Sequence, residues 1–368
     1  MSADIPKSLM LLHGQNPYSV QPWASPYPPL LLLIVGGIVQ LTSPGLVQSP
    51  ASLDLISQNI RIAGLFANAL VGIIIFLALR SKGLSGLQAL VPAALFLTLP
   101  ATSTGPLYYF HSDTFGYPML ALSLLALTTG RYFTGSTLLA IATIFKVHPI
   151  LALPLILVWL VRKQGLRRAL PCLLTSTTIL TIGLALPFEI PGYSAALLGF
   201  NLSNTGNGTA SFTILNLLYG VLPTAFSVNV PDLLTSQIWI ATTATLFTVL
   251  LGIVWTRDKR LEPIDVALLG LLAWLIPLRQ LYLHYLVWAI IPFLMRGKLK
   301  QTILVAIMLE SDELMGALNW SPALSPIPGM GSVYGFFATS LAFLILGIAA
   351  LRMALNESIR PLALQSNR

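Results

Sequence analysis

HSDTFGYPMLALSLLALTTGRYFTGSTLLAIATIFKVHPILALP, residues His111 to Pro154, decides how this chain folds. It pairs a histidine and an acid, His111 and Asp113, with an apolar span that ends at Arg131. A second apolar run follows, broken at Phe145-Lys146-Val147-His148-Pro149. An ionisable residue inside a membrane-spanning run costs several kcal/mol, so Lys146 marks a functional site by default.

The rest of the chain places that run in a bilayer. Of 368 residues, 55% are hydrophobic and 9% charged, and the mean hydropathy is +0.82. Soluble domains carry about 25% charged residues, so a polytopic helical membrane protein is expected. The formal charge of +8 is scattered between apolar spans rather than clustered. It reads as loop charge that sets orientation, not as a nucleic-acid surface. A lone cysteine, Cys172, excludes a disulfide framework and a cysteine metal cluster. Residues Met1 to Pro29 are polar, aromatic and proline-rich, with no signal-peptide core.

Crossing a bilayer takes about 17–25 apolar residues as a helix. The expected fold is therefore all-α, with about nine full spans: Asn59–Leu79, Leu87–Ser103, Thr114–Gly130, Leu170–Pro187, Leu233–Trp255, Pro263–Pro277, Leu281–Met295, Thr302–Leu318 and Ser332–Leu351. Two runs do not fit. Pro28–Thr42 is short and is expected to be re-entrant, next to an N-terminal segment lying in the membrane plane. Thr134–Trp159 is expected to enter and return as a hairpin of short helices, each arm roughly 20 Å against a ~30 Å core. With the Arg80–Lys82 loop inside, this topology puts sixteen of the twenty basic residues on the inner side. Lys7, Arg61, Lys146 and Arg279 remain, on the outer side with Asp4, His111, Asp113, Gln280 and His284. A single domain, 1–368, is expected: 1–58 as outer loop and re-entrant helix, 59–187 as N-terminal helices, 188–232 as an outer loop, 233–368 as C-terminal helices.

Each motif admits a plain reading beside a functional one. Trp23, Tyr18 and Tyr27 suit an interfacial aromatic anchor or a substrate site. Asp113 suits an N-cap, a role compatible with chemistry. Lys146 suits a lysine snorkelling outward, or a cation for a phosphate with His148 beside it. Gln280 and His284 share a helix face, next to Arg279, Tyr282 and Tyr285. Glu310, Asp312 and Glu313 interrupt a span without an evident role, and Asn201 and Asn207 open N-glycosylation patterns on the outer loop.

Taken in order, several stretches resemble the GT-C superfamily of membrane glycosyltransferases. The nearest pattern is the catalytic subunit of glycosylphosphatidylinositol mannosyltransferase I and its prokaryotic relatives. Gly14, Asn16, Pro17 and Tyr18 are similar to the family's first outer loop, followed by Tyr27-Pro28-Pro29. LRSKGLSG is similar to its basic cytosolic turn, and HSDTFGYPMLAL to its second acid-bearing loop, which places Asp113 at the acid. Lys146 and Pro149 fall on its Lys-x-x-Pro segment, and Gln280, Tyr285, Trp288 and Pro292 on its late span. The family has a full span before its first outer acid; here Met1 to Ala3 stand before Asp4, the acid expected to match the base.

The resemblance implies an inverting transfer of a hexose, most simply mannose, from a polyprenyl or dolichyl phosphate to a lipid, glycan or protein acceptor on the extracytoplasmic face. It implies Asp4 as base, with Asp113 as alternative base or as a ligand for acceptor or cation. Lys146, His148, Arg279 and His284 would hold the donor phosphate, and Asn16, Tyr18, His111, Gln280 and Tyr285 the substrates. No metal ligand set is assigned, although a divalent cation stays open as cofactor. Membrane lipid and a partner subunit are the further expected partners, with no nucleic acid. An integral membrane protein of a prokaryotic plasma membrane or an ER-like membrane follows. Two rivals remain: an ion-coupled secondary transporter using Asp113 and Lys146, and a non-catalytic subunit of a membrane complex.

Overall fold

The computed structural model describes residues 4–19, 27–42, 52–99, 102, 112–197, 232–257, 261–275 and 283–297. These residues are mostly helical, with no strand among them. In chain order the helices are α1 (Asp4–Leu12), α2 (Pro29–Thr42), α3 (Ser52–Ser81), α4 (Gly86–Thr98), α5 (Tyr117–Thr128), α6 (Tyr132–Phe145), α7 (Ala152–Gln164), α8 (Leu166–Leu180), α9 (Asp232–Arg257), α10 (Pro263–Leu275) and α11 (Leu283–Met295).

Among the described residues, three helical stretches are long and apolar enough to cross a membrane: Leu55–Ser81, Leu166–Glu189 and Ile240–Arg257. They take up the expected spans Asn59–Leu79, Leu170–Pro187 and Leu233–Trp255. Not every expected span is one long helix. Two of the expected spans, Leu87–Ser103 and Thr114–Gly130, hold helices of only 13 and 12 residues, each with both ends described. At 1.5 Å per residue they reach about 20 Å, short of a bilayer core. A hydropathy window counts apolar residues straight through a break in the helix. In Thr114–Gly130 the break is a 3₁₀ turn at Ser112–Phe115, after which Gly116 and Pro118 restart the helix. The spans Thr302–Leu318 and Ser332–Leu351 lie outside the described residues. So do the acids at 310–313, both N-glycosylation patterns, and loop residues 198–231.

The hairpin expected at Thr134–Trp159 is present, as α6 and α7 around Lys146. The Tyr132 ring lies 5.9 Å from the Trp159 ring, so the start of α6 meets the end of α7. Both arms begin or end with basic residues: Arg131 precedes α6, and Arg162 and Lys163 close α7. Lys146 itself is extended (φ −149°, ψ 135°), and Pro149 starts a 3₁₀ turn at His148–Ile150. A proline there cannot donate into a continuing helix, so the chain turns.

Close backbone approach sets the packing. A Cβ on Gly135 would meet Leu127 at 2.5 Å, which lets α6 lie on α5. One on Gly270 would meet the Ala152 backbone at 2.4 Å, which seats α10 on the start of α7. One on Gly36 would meet the Ser8 carbonyl at 2.8 Å, so α1 lies on α2. Small residues at helix contacts are what packing in an apolar solvent favours.

Two buried apolar clusters result. The larger unites α3 through α11. The smaller holds α1, α2, the start of α3, and Tyr18, Tyr27 and Tyr193. Phe145 and Val147 belong to the smaller cluster, while Tyr117, Tyr285 and Trp288 belong to the larger. Lys146 therefore sits on the seam between them.

Candidate functional site

Four stretches far apart in sequence meet at that seam. Asp113 arrives on the 3₁₀ turn before α5, and Lys146 on the pivot of the hairpin. Tyr27 arrives just before α2, and Tyr285 on α11. The Lys146 ammonium lies 3.1 Å from the Asp113 carboxylate. Side-chain exposure is 4% for Lys146 and 0% for Asp113, so the lysine does not snorkel to an interface. Its ammonium stands 4.1 Å from the Tyr27 ring centre and 4.9 Å from that of Tyr285. Both rings are within the ~6 Å reach of a cation–π contact, which strengthens as water is excluded.

An isolated charge would not persist here. Burying an ion pair is compensated only when geometry and further contacts are good, and removing one partner leaves an uncompensated charge. Carboxylate and rings together supply that compensation to Lys146. Asp113 is not the N-cap of α5. Gly116 holds that position, with no side-chain capping bond.

His148 lies beside the pair. The Trp274 indole N–H donates to His148 Nδ1 at 3.0 Å. That nitrogen accepts, so the neutral ring carries its proton on Nε2. The ring centre is 4.3 Å from that of Tyr285 and 6.0 Å from that of Trp288. Trp288 in turn meets the Tyr117 ring at 5.2 Å and packs directly on Gly116, where a Cβ would come within 2.6 Å. The turn carrying Asp113 thus rests on α11.

Asn16 and Tyr18 stand one layer behind. Asn16 Oδ1 accepts from the Tyr18 amide at 2.9 Å, and its Nδ2 donates to the Pro191 carbonyl at 2.9 Å. The Tyr18 hydroxyl donates to the Tyr27 carbonyl at 2.8 Å. Burial pushes that hydroxyl well above the usual tyrosine range, with Tyr193 adding to it, so it remains a donor. These groups position Tyr27 over Lys146; their polar atoms are spent on the chain itself.

Of the residues read from sequence, Asp113, Lys146, His148 and Tyr285 come together, with Asn16 and Tyr18 in support. Asp4 opens α1 and His284 lies in the first turn of α11, but their side chains lie outside the described residues, as do His111, Arg279 and Gln280 entirely. Trp274 was missed. Its signal was present: a tryptophan inside the apolar run of α10 needs an acceptor for its N–H. Among the described side chains, the Asp113 carboxylate is taken up by the Lys146 ammonium. No group of three or more metal-ligating residues occurs among the described residues.

Compared with known proteins, the chain matches no family model and none of the curated sequences.

Proposed function

We propose that the Asp113–Lys146 site belongs to an inverting membrane glycosyltransferase of GT-C type. It would move a hexose, most simply mannose, from a polyprenyl or dolichyl phosphate to a lipid, glycan or protein acceptor, on the extracytoplasmic face. The observation that carries this reading is convergence. Tyr27, Asp113, Lys146 and Tyr285, each drawn from a separate stretch that resembles the family, gather around one ammonium.

The chemistry suits such a pair. The acceptor hydroxyl attacks the anomeric carbon, its proton passes to a carboxylate, and the bond to the phosphate oxygen breaks. Negative charge disappears from the base as it appears on the leaving phosphate. A lysine within 3.1 Å of the base can balance the first charge and then the second. In this reading Asp113 takes the proton, or orients the acceptor while Asp4 takes it. Lys146 receives the phosphate, with His148, Arg279 and His284 as further donors. His111 and Gln280 contact the substrates, and Tyr285 walls the site beside Lys146.

One observation favours a second reading, an ion-coupled transporter: the pair is closed from solvent and neutral as a unit. Purified full-length protein in proteoliposomes separates the two. The transferase reading predicts movement of labelled hexose from polyprenyl phosphate to an acceptor, without solute uptake. Gradient-driven uptake with no transfer would overturn it.

A further inference from the structure

The opposite end of the hairpin carries a groove that shares no residue with the Asp113–Lys146 site. It measures about 480 Å³ and lies between the start of α6, the end of α7 and the first turns of α8. Its lining includes Arg131, Phe133, Gln164, Arg168 and Cys172.

Arg131 and Arg168 come from different helices, and both are exposed. Neither has an ion-pair partner among the described residues. Their neighbours are engaged elsewhere: Arg162 lies over the Trp255 ring at 4.7 Å and Lys163 over the Trp159 ring at 4.5 Å. Two guanidinium forks on one groove select an oxyanion that can be gripped by parallel N–H donors.

An apolar strip adjoins this basic groove. Leu166, Leu170 and Leu174 are 62%, 45% and 60% exposed, four residues apart on one face of α8. Phe133 stands at the rim, 52% exposed. A free anion would make no use of that strip. A lipid, with an anionic head and acyl chains, would cover both.

We propose that this groove binds the phosphate-bearing head of an anionic phospholipid. Arg131 and Arg168 grip the phosphate, and the acyl chains run along the exposed leucines of α8. By the orientation of loop charge, this is the inner leaflet, where basic pockets between helices meet anionic heads.

The test uses full-length protein in nanodiscs of phosphatidylcholine doped with phosphatidylglycerol, with lipid retained on the released protein counted by native mass spectrometry. Wild type retains phosphatidylglycerol in preference to phosphatidylcholine. The Arg131→Gln/Arg168→Gln variant binds it about 30-fold more weakly, as expected for two basic residues near a surface. The Lys163→Gln/Arg167→Gln variant removes the same charge from the same end and keeps the preference. Equal loss in both variants would reduce the effect to diffuse surface charge and overturn the proposal. Absence of a preference in wild type would also overturn it, as would displacement of the lipid by millimolar inorganic phosphate.

Discussion

Two buried acid–base pairs lie within the described part of this protein, and they are built differently. Asp265 and Arg296 join the first turn of α10 to the residue after α11, with side chains 4% and 6% exposed. Asp265 also accepts from the Glu262 amide at 3.2 Å, so it closes the start of its helix while it binds the arginine. Nearby, Lys82 meets Glu262 at 2.6 Å and ties the turn after α3 to the same place. That pair fastens helix ends, with an always-charged guanidinium in a fixed fork. Asp113 and Lys146 also stand at helix ends, on the turn before α5 and just after α6, but their surroundings differ. Theirs is a point charge on a flexible stem, held on a turn where the chain leaves helix, between two tyrosine rings and beside a histidine. Equal burial therefore comes with unequal surroundings: a guanidinium fork at helix ends in the first pair, aromatic rings and a histidine in the second, which is the proposed site.

The comparison breaks or sharpens under substitution. The largest expected effect follows from the proposed transferase reading with Asp113 as base: on it, Asp113→Asn lowers hexose transfer per folded molecule by about 10²–10⁴-fold, the usual contribution of a positioned base. Transfer kinetics in proteoliposomes check it. Arg296→Met leaves the Asp265 carboxylate buried without its guanidinium and destabilises the fold by about 3–5 kcal/mol. Denaturant unfolding in detergent reads that loss, and transfer per folded molecule stays unchanged. Gly116→Ala drives a methyl into Trp288 and costs about 1–3 kcal/mol of overpacking. Near-ultraviolet circular dichroism should register the displaced Tyr117–Trp288 contact. Trp274→Phe removes the N–H that holds His148 Nδ1 and costs about 1 kcal/mol in melting experiments. Lys82→Gln, at the exposed pair, changes stability by less than about 1 kcal/mol.

The contrast also shows what could be read in advance. Lys146 was legible because a cation inside an apolar run has a cost that nothing local offsets. The hairpin followed from the same residue, from Pro149 and from the basic residues at both ends. Asp265 was not legible: an acid two residues after Pro263 reads as an ordinary first-turn carboxylate, and its partner Arg296 as one more inner-loop charge. The helix within Thr114–Gly130 is shorter than its apolar run for a different reason. Apolar runs continue through Gly116 and through the prolines at helix ends, so hydropathy merges a 3₁₀ turn and a 12-residue helix into one apparent span. The support given by Asn16 and Tyr18 depended on Pro191 and Tyr27, contacts no local pattern announces.

The central claim, that one pair is a site and the other a staple, is tested most directly by neutralising each pair as a unit. Hexose transfer per folded molecule is measured for Asp113→Asn/Lys146→Gln and for Asp265→Leu/Arg296→Met, so that neither variant leaves a lone buried charge. The account predicts that the first folds and loses transfer by about 10³-fold or more, while the second keeps it within about twofold. Retained transfer in the Asp113/Lys146 variant, or an equal fall in both, would contradict it.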